Sequence, residues 1–87
     1  MSRYQVNPRF SWKKLAEGCV ILDLEKGSYF TLNETAARIW TELAGGTAAD
    51  EIAGLLAADY DVTAAQAAKD VGETLALLSK EGVVAKC

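Results

Sequence analysis

The 87-residue sequence predicts an α+β fold in which a three-stranded antiparallel sheet precedes a three-helix bundle, an arrangement close to a winged helix. β-branched and aromatic residues dominate before Asn33, whereas alanine and leucine dominate after it. Glycines separate the candidate strands, and three stretches with helical spacing of apolar residues follow them. The length is that of one domain, so we expect a single unit over residues 1–87.

The first third of the chain predicts the sheet. Residues 1–9 are polar and are expected to form an irregular arm, and a short first strand follows at residues 10–13. The nearly continuous apolar run at residues 19–24 predicts the central strand. Residues 25–27 end in a glycine and suit a hairpin turn, so that residues 28–32 become the third strand, at an edge.

The remainder predicts three helices, each with a recognisable start. Asn33 is expected to cap the first helix, Thr47 the second and Thr63 the third, where Gln66 has capping-box spacing. Gly82 is expected to end the third helix, before a short extended piece at residues 83–84. The predicted apolar stripes are Ala36, Ile39, Trp40 and Leu43, then Ala49, Ile52, Leu55 and Leu56, then Ala67, Val71, Leu75 and Leu78.

Four aromatic residues are expected to supply much of the core. They are Trp12, Phe30, Trp40 and Tyr60. A core of this size is marginal, since a domain this small buries only about 60% of its unfolded surface. The sequence does not distinguish a monomer from a homodimer.

The composition argues against an enzyme. The chain has no histidine, which excludes a histidine-dependent triad and any histidine-ligated metal site, and we predict no cofactor. The two cysteines, Cys19 and Cys87, do not have metal-binding spacing and are too few for a disulfide framework. We therefore expect a cytoplasmic protein with a buried Cys19. The sequence does not decide whether Cys19 and Cys87 form a disulfide. No segment has the length of a membrane span.

Charge is distributed unevenly along the chain. Residues 1–32 carry five basic and three acidic side chains, whereas residues 47–82 carry seven acidic and two basic ones. A winged-helix DNA-binding regulator is the alternative function that the fold class suggests. The acidic third helix argues against it, because a major-groove reader should bring positive charge and bidentate side chains. We expect no nucleic-acid partner.

The third strand is the strongest candidate for a binding element. It contains neither a charge nor a proline, the residues with which proteins usually protect a sheet edge. Such an edge can accept an extended peptide as an added strand. Coverage of the edge by the third helix, or by a second copy of the chain, is the alternative.

One run of residues resembles a known family. The segment YFTLNETAARIW at residues 29–40 resembles the signature of the PqqD family (coenzyme PQQ synthesis protein D), in which Leu-Asn precedes a small-residue Thr-Ala or Ser-Ala pair. The similarity extends over residues 7–85. The further matching positions are Gly46-Thr47, Glu51-Ile52, Tyr60-Asp61-Val62, Asp70-Val71, Leu75, Leu78 and Gly82-Val83.

This resemblance implies a peptide chaperone. PqqD-like domains are recognition elements for ribosomally synthesised, post-translationally modified peptides, and they bind the leader segment of a precursor peptide. They present it to a modifying enzyme, such as a radical-SAM protein or, in lasso-peptide pathways, a leader peptidase. The family fold is a three-stranded sheet on a three-helix bundle. The resemblance fits proteins of PQQ and of other peptide pathways, so the precursor stays open.

The resemblance also implies where the leader binds. It adds to the third strand, in a groove shared with the third helix. Leu77 is the expected apolar pocket, whereas Asp70 either meets a basic leader residue or is a solvated helix charge. For Asn33 and Ala36 we favour capping and helix packing over peptide contact. The expected site residues are Ser28, Tyr29, Phe30, Thr31 and Leu32 on the strand, with Asp70, Thr74, Leu77 and Glu81 on the helix.

Overall fold

The computed structural model describes residues 4–86, and it contains five strands and three helices in that range. The question of a Cys19–Cys87 pair, which the sequence left open, therefore falls outside the described residues. The elements in chain order are β1 Tyr4–Val6, β2 Phe10–Leu15, β3 Gly18–Asp23, β4 Tyr29–Asn33, α1 Glu34–Ala44, α2 Ala49–Asp59, α3 Ala64–Lys80 and β5 Val84–Lys86.

The predicted three-stranded sheet is confirmed. Its order is β2-β3-β4, both pairs are antiparallel, and β2 and β4 form its edges. Gly18 has a steric role at the start of β3, because a Cβ there would collide with the backbone carbonyl of Leu32 on β4. The left-handed turn position is also confirmed, since Gly27 has a φ of 74°.

The irregular arm expected over residues 1–9 is wrong for residues 4–6. These residues form β1, which pairs antiparallel with β5 in a second, two-stranded sheet, with Tyr4 opposite Lys86 and Val6 opposite Val84. Asn7 continues the connection, because its amide nitrogen donates to Val83 O at 2.8 Å. The polar composition misled the prediction, since the partner strand comes from the other end of the chain.

Two of the three predicted helix caps are confirmed. The Asn33 side chain accepts a hydrogen bond from the Ala36 amide at 2.9 Å, and Thr63 accepts one from Gln66 at 3.1 Å. The prediction for Thr47 is wrong, because α2 starts one residue later and Ala48 is its N-cap. The Thr47 hydroxyl instead donates to Glu42 Oε1 at 2.9 Å, which ties the loop to α1.

The core lies where the inner face of the sheet meets α1, α2 and α3. Ile39 and Trp40 of α1 are fully buried at its centre, and so is Cys19 of β3, where burial raises the pKa of the thiol. Trp12 contributes less than expected, because 38% of it is exposed. Its ring packs edge-on against Trp40, with the centroids 5.8 Å apart.

A buried carboxylate organises the turn before β4. Asp23 Oδ1 accepts hydrogen bonds from the amides of Glu25 at 3.0 Å and Lys26 at 3.1 Å, while Oδ2 lies 3.2 Å from Arg9 Nη2. Burial opposes ionisation of Asp23, but the two amide donors and the Arg9 guanidinium outweigh it and hold the pKa of Asp23 below its usual value. The charged carboxylate therefore stabilises the turn that leads into β4.

Replacement of this carboxylate should lower stability in a pH-dependent way. Because the pKa of folded Asp23 is lowered, its contribution is complete above the unfolded value of about 3.9 and is lost as the pH falls through the folded pKa. We expect Asp23→Asn to lower the Tm at pH 7. The difference from the unmodified protein should shrink steadily below about pH 4. Thermal melts followed by circular dichroism across that range measure this, and a difference independent of pH would contradict it.

Candidate functional site

The two edges of the three-stranded sheet differ in chemistry. The β2 edge carries Lys13 and Lys14, the type of residue that discourages the approach of another strand. β4 has no charged residue and no proline, and within residues 4–86 no strand pairs with its outer side. β4 is therefore the edge at which an extended chain can add.

The backbone groups that β4 offers follow from its register with β3. The Asp23 amide donates to Ser28 O at 2.8 Å, so that pair is hydrogen-bonded. Hydrogen-bonded and non-hydrogen-bonded pairs alternate in an antiparallel ladder. Phe30, opposite Ile21, and Leu32, opposite Cys19, therefore direct their N–H and C=O groups to β3. The corresponding groups of Tyr29 and Thr31 point outward from the sheet edge.

The side chains of β4 alternate between the two faces of the sheet. Leu32 is buried in the core and Phe30 is half-buried against it. Tyr29 and Thr31 are exposed on the opposite face, and 69% of Tyr29 is accessible to solvent. A strand added to this edge would therefore direct every second side chain toward the helical layer.

A cleft separates β4 from α3. The helix packs mainly on α2, α1 and β5, and α1 supplies the packing against β3 and β4. Beside the end of β4 lies a cavity of about 300 Å³, between the start of α1 and one face of α3. It is lined by Asn33, Thr35 and Ala36 on one side and by Asp70, Glu73, Thr74 and Leu77 on the other.

A smaller cavity lies toward the start of β4. Its volume is about 110 Å³. Glu81, the C-cap of α3, lies one helical turn after Leu77, so the two cavities follow each other along the helix. We call them together the β4–α3 groove. The small cavity is lined by Phe10, Asp23, Lys26, Ser28, Phe30 and Glu81.

The groove brings together the helical residues that the sequence assigned to a site. Asp70 and Leu77 line the large cavity, and Leu77 is 41% exposed, so it lies off the core as expected. Glu81 lines the small cavity. Thr74 also lines the groove, but it is only 8% exposed and belongs to its floor. Asn33 caps α1, as we favoured, and it lines the cavity as well.

Sequence reasoning missed one charged residue of the groove. Glu73 lines the large cavity beside Asp70. The sequence spacing predicts this position. Glu73 lies three residues after Asp70 and four before Leu77, so all three share one helix face. The Asp70 carboxylate accepts a hydrogen bond from Gln66 Nε2 at 2.8 Å. Among the side chains of residues 4–85, no cationic nitrogen lies within 4.0 Å of the Asp70 or Glu73 carboxylate.

The described residues offer no constellation for metal chemistry. Between Tyr4 and Lys86, no three His, Cys, Asp or Glu side chains lie close enough together to hold a metal ion. No helix in the described range has both the length and the apolar character to cross a membrane.

The comparisons with known proteins agree with this geometry. A family model, coenzyme PQQ synthesis protein D (PqqD), matches residues 18–84. That is most of the chain and includes β3, β4 and all three helices. The chain belongs to the PqqD family. No protein with a curated description matches it.

Two solved structures share the fold over nearly their whole length. One is TbiB1 in complex with the TbiA(β) leader peptide, with 25% sequence identity and a TM-score of 0.84, covering 92% of this chain and 93% of that one. The other is lasso peptide synthetase B1 complexed with the leader peptide, with 29% identity and a TM-score of 0.85, covering 95% and 98%. Both therefore carry the same architecture as this chain.

Amide hydrogen exchange should reveal which side of β4 is open. In the free protein we expect the amides of Phe30 and Leu32 to exchange on the order of 100-fold more slowly than those of Tyr29 and Thr31, because only the first pair is bonded to β3. Exchange followed residue by residue by NMR measures this ratio. Equal protection at all four amides would show that the outer edge is already paired.

Proposed function

We propose that this chain is a recognition element that binds the leader segment of a ribosomally synthesised precursor peptide and presents it to a modifying enzyme. The protein does no chemistry itself in this proposal. It works in the cytoplasm, where precursor peptides are made, and its enzyme partner is of the radical-SAM or leader-peptidase type. The leader adds as a strand to β4 and lies in the β4–α3 groove.

The open edge of β4 beside this groove is the observation that carries the proposal. Membership of the PqqD family supports it, and so do the leader peptides bound by two proteins of the same fold. The outward N–H and C=O groups of Tyr29 and Thr31 supply hydrogen bonds that any peptide backbone can make. Side chains of α3 then supply the selection among peptides.

DNA binding, the alternative raised by the winged-helix likeness, has no support in the structure. The face of α3 beside the groove presents Asp70, Glu73 and Glu81, which repel phosphate groups. No matching family or fold neighbour points to nucleic acid.

Leu77→Glu should weaken leader binding while the domain stays folded. The change puts a charge into the apolar part of the groove, and we expect a loss of about 1–2 kcal/mol, or roughly 5- to 30-fold in Kd. The measurement is a titration of labelled protein with the leader of the precursor encoded beside its gene. Amide shifts should concentrate on β4 and α3, and shifts that avoid both elements would reject the proposal.

Leu55→Glu is the matched control for this variant. Leu55 is also a helical leucine, 37% exposed, but it lies on α2 away from the groove. The control should bind the leader as the unmodified protein does. Equal weakening in both variants would show a general effect of the added charge. Unfolding of Leu77→Glu alone would place Leu77 in the core.

Thr31→Pro tests strand addition directly. The Thr31 amide points away from β3, so proline removes an outward donor and leaves the β3–β4 hydrogen bonds in place. We expect at least about a tenfold loss of leader affinity, with little loss of stability. Lys14→Pro is the control, because the Lys14 amide also points outward but from the β2 edge. If both variants retain full affinity, the leader does not pair with β4.

A further inference from the structure

We propose that the β4–α3 groove selects peptides with a basic residue followed, two positions later, by an apolar residue. This inference rests on the proposed function and specifies the peptide sequence that the groove prefers. The basic side chain lies between Asp70 and Glu73. The apolar side chain packs on Leu77 and Ala36. The backbone groups of β4 hold the peptide between these positions.

The spacing of α3 matches that of an added strand. Glu73, Leu77 and Glu81 follow one another at four-residue intervals along the groove, and each interval is about 6 Å along the helix axis. Side chains on one face of a strand recur every two residues, or about 6.8 Å. Successive groove-facing side chains of the peptide therefore meet successive turns of α3.

The register of β4 identifies those peptide residues. In an added strand, residues opposite Phe30 and Leu32 place their side chains on the same face as these two, toward α3. The position opposite Leu32 lies beside the large cavity, because Asn33, the next residue after Leu32, lines that cavity. The position opposite Phe30 is the next along the groove. It lies between the two cavities, because Phe30 lines the small one and Leu77, one helical turn before Glu81, lines the large one.

Charge and polarity assign a residue type to each position. Asp70 and Glu73 both line the large cavity, and neither has a cationic partner within 4.0 Å among the side chains of residues 4–85. A lysine or arginine of the peptide can therefore form ionic interactions with both carboxylates without displacing an existing ion pair. Leu77, with 41% of its surface exposed, and the small side chain of Ala36 leave apolar surface for the second position.

The order of the two residues follows from strand direction. The sheet is antiparallel throughout, and antiparallel pairing is the more stable arrangement per residue. A peptide antiparallel to β4 starts at its Leu32 end, so the basic residue precedes the apolar one. The third groove-facing residue then lies at the small cavity. Glu81 and Lys26 have opposite charges there, and Asp23 is already paired with Arg9, so no single sign of charge is favoured.

The test uses a displayed library of random peptides about 16 residues long, long enough to span β4 several times over. Peptides are selected on the full chain and sequenced. We expect enrichment of lysine or arginine two positions before a leucine, isoleucine, valine, methionine or aromatic residue. The variant Asp70→Lys with Glu73→Lys should bind the selected basic peptides at least about tenfold more weakly and should instead enrich acidic residues at the first position.

The variant Glu17→Lys with Asp61→Lys is the control, because it changes the net charge equally at exposed residues outside the groove. It should retain the preference of the unmodified chain. Two outcomes would overturn this inference alone. In the first, the enriched peptides shift the Tyr29 and Thr31 amides but show no charge preference. In the second, the groove variant keeps the preference of the unmodified chain. No enrichment, or binding that leaves those amides unshifted, would overturn the proposed function with it.

Discussion

The groove depends on the abrupt change from strand to helix at Asn33. This residue is the last of β4 and also the N-cap of α1, where its side-chain oxygen accepts a hydrogen bond from the Ala36 amide. No loop intervenes, so α1 turns directly under the sheet and buries Ile39 and Trp40 against it. α3 packs on the other helices and on β5, which leaves a cleft beside β4 instead of a helix covering its edge.

In the proposed binding mode, this arrangement separates affinity from selection. The backbone groups of Tyr29 and Thr31 are available to any peptide, because main-chain hydrogen bonds carry no side-chain information. α3 faces them with a row of side chains whose 6 Å repeat is close to that of alternate strand residues. The start of β4 is held in place by Asp23, because this buried carboxylate bonds both to the turn before β4 and to Arg9. A small domain thereby presents an open strand edge beside a defined groove.

Sequence patterns succeeded where the physical cause was local. The caps at Asn33 and Thr63 and the left-handed Gly27 are set by neighbouring residues, and all three are confirmed. Contacts with other parts of the fold, outside the predicted element, caused the errors. Residues 4–6 form a strand only because β5 returns to them, and the Thr47 hydroxyl bonds to Glu42 instead of capping α2. Thr74 lies on the floor of the groove, because it is three residues after Val71 and four before Leu78 and so shares the buried face of α3.

The sequence by itself determined the α+β class, the order of the main strands and helices, the unprotected composition of β4 and the family resemblance, since periodicity, capping and motifs are properties of neighbouring residues. It also placed Asp70 and Leu77 on one helix face, but it did not include Glu73. Only the tertiary structure decided that this face lies across an open cleft from β4, and which backbone groups point into solvent. Those features depend on strand register and helix packing, which join residues far apart in the chain.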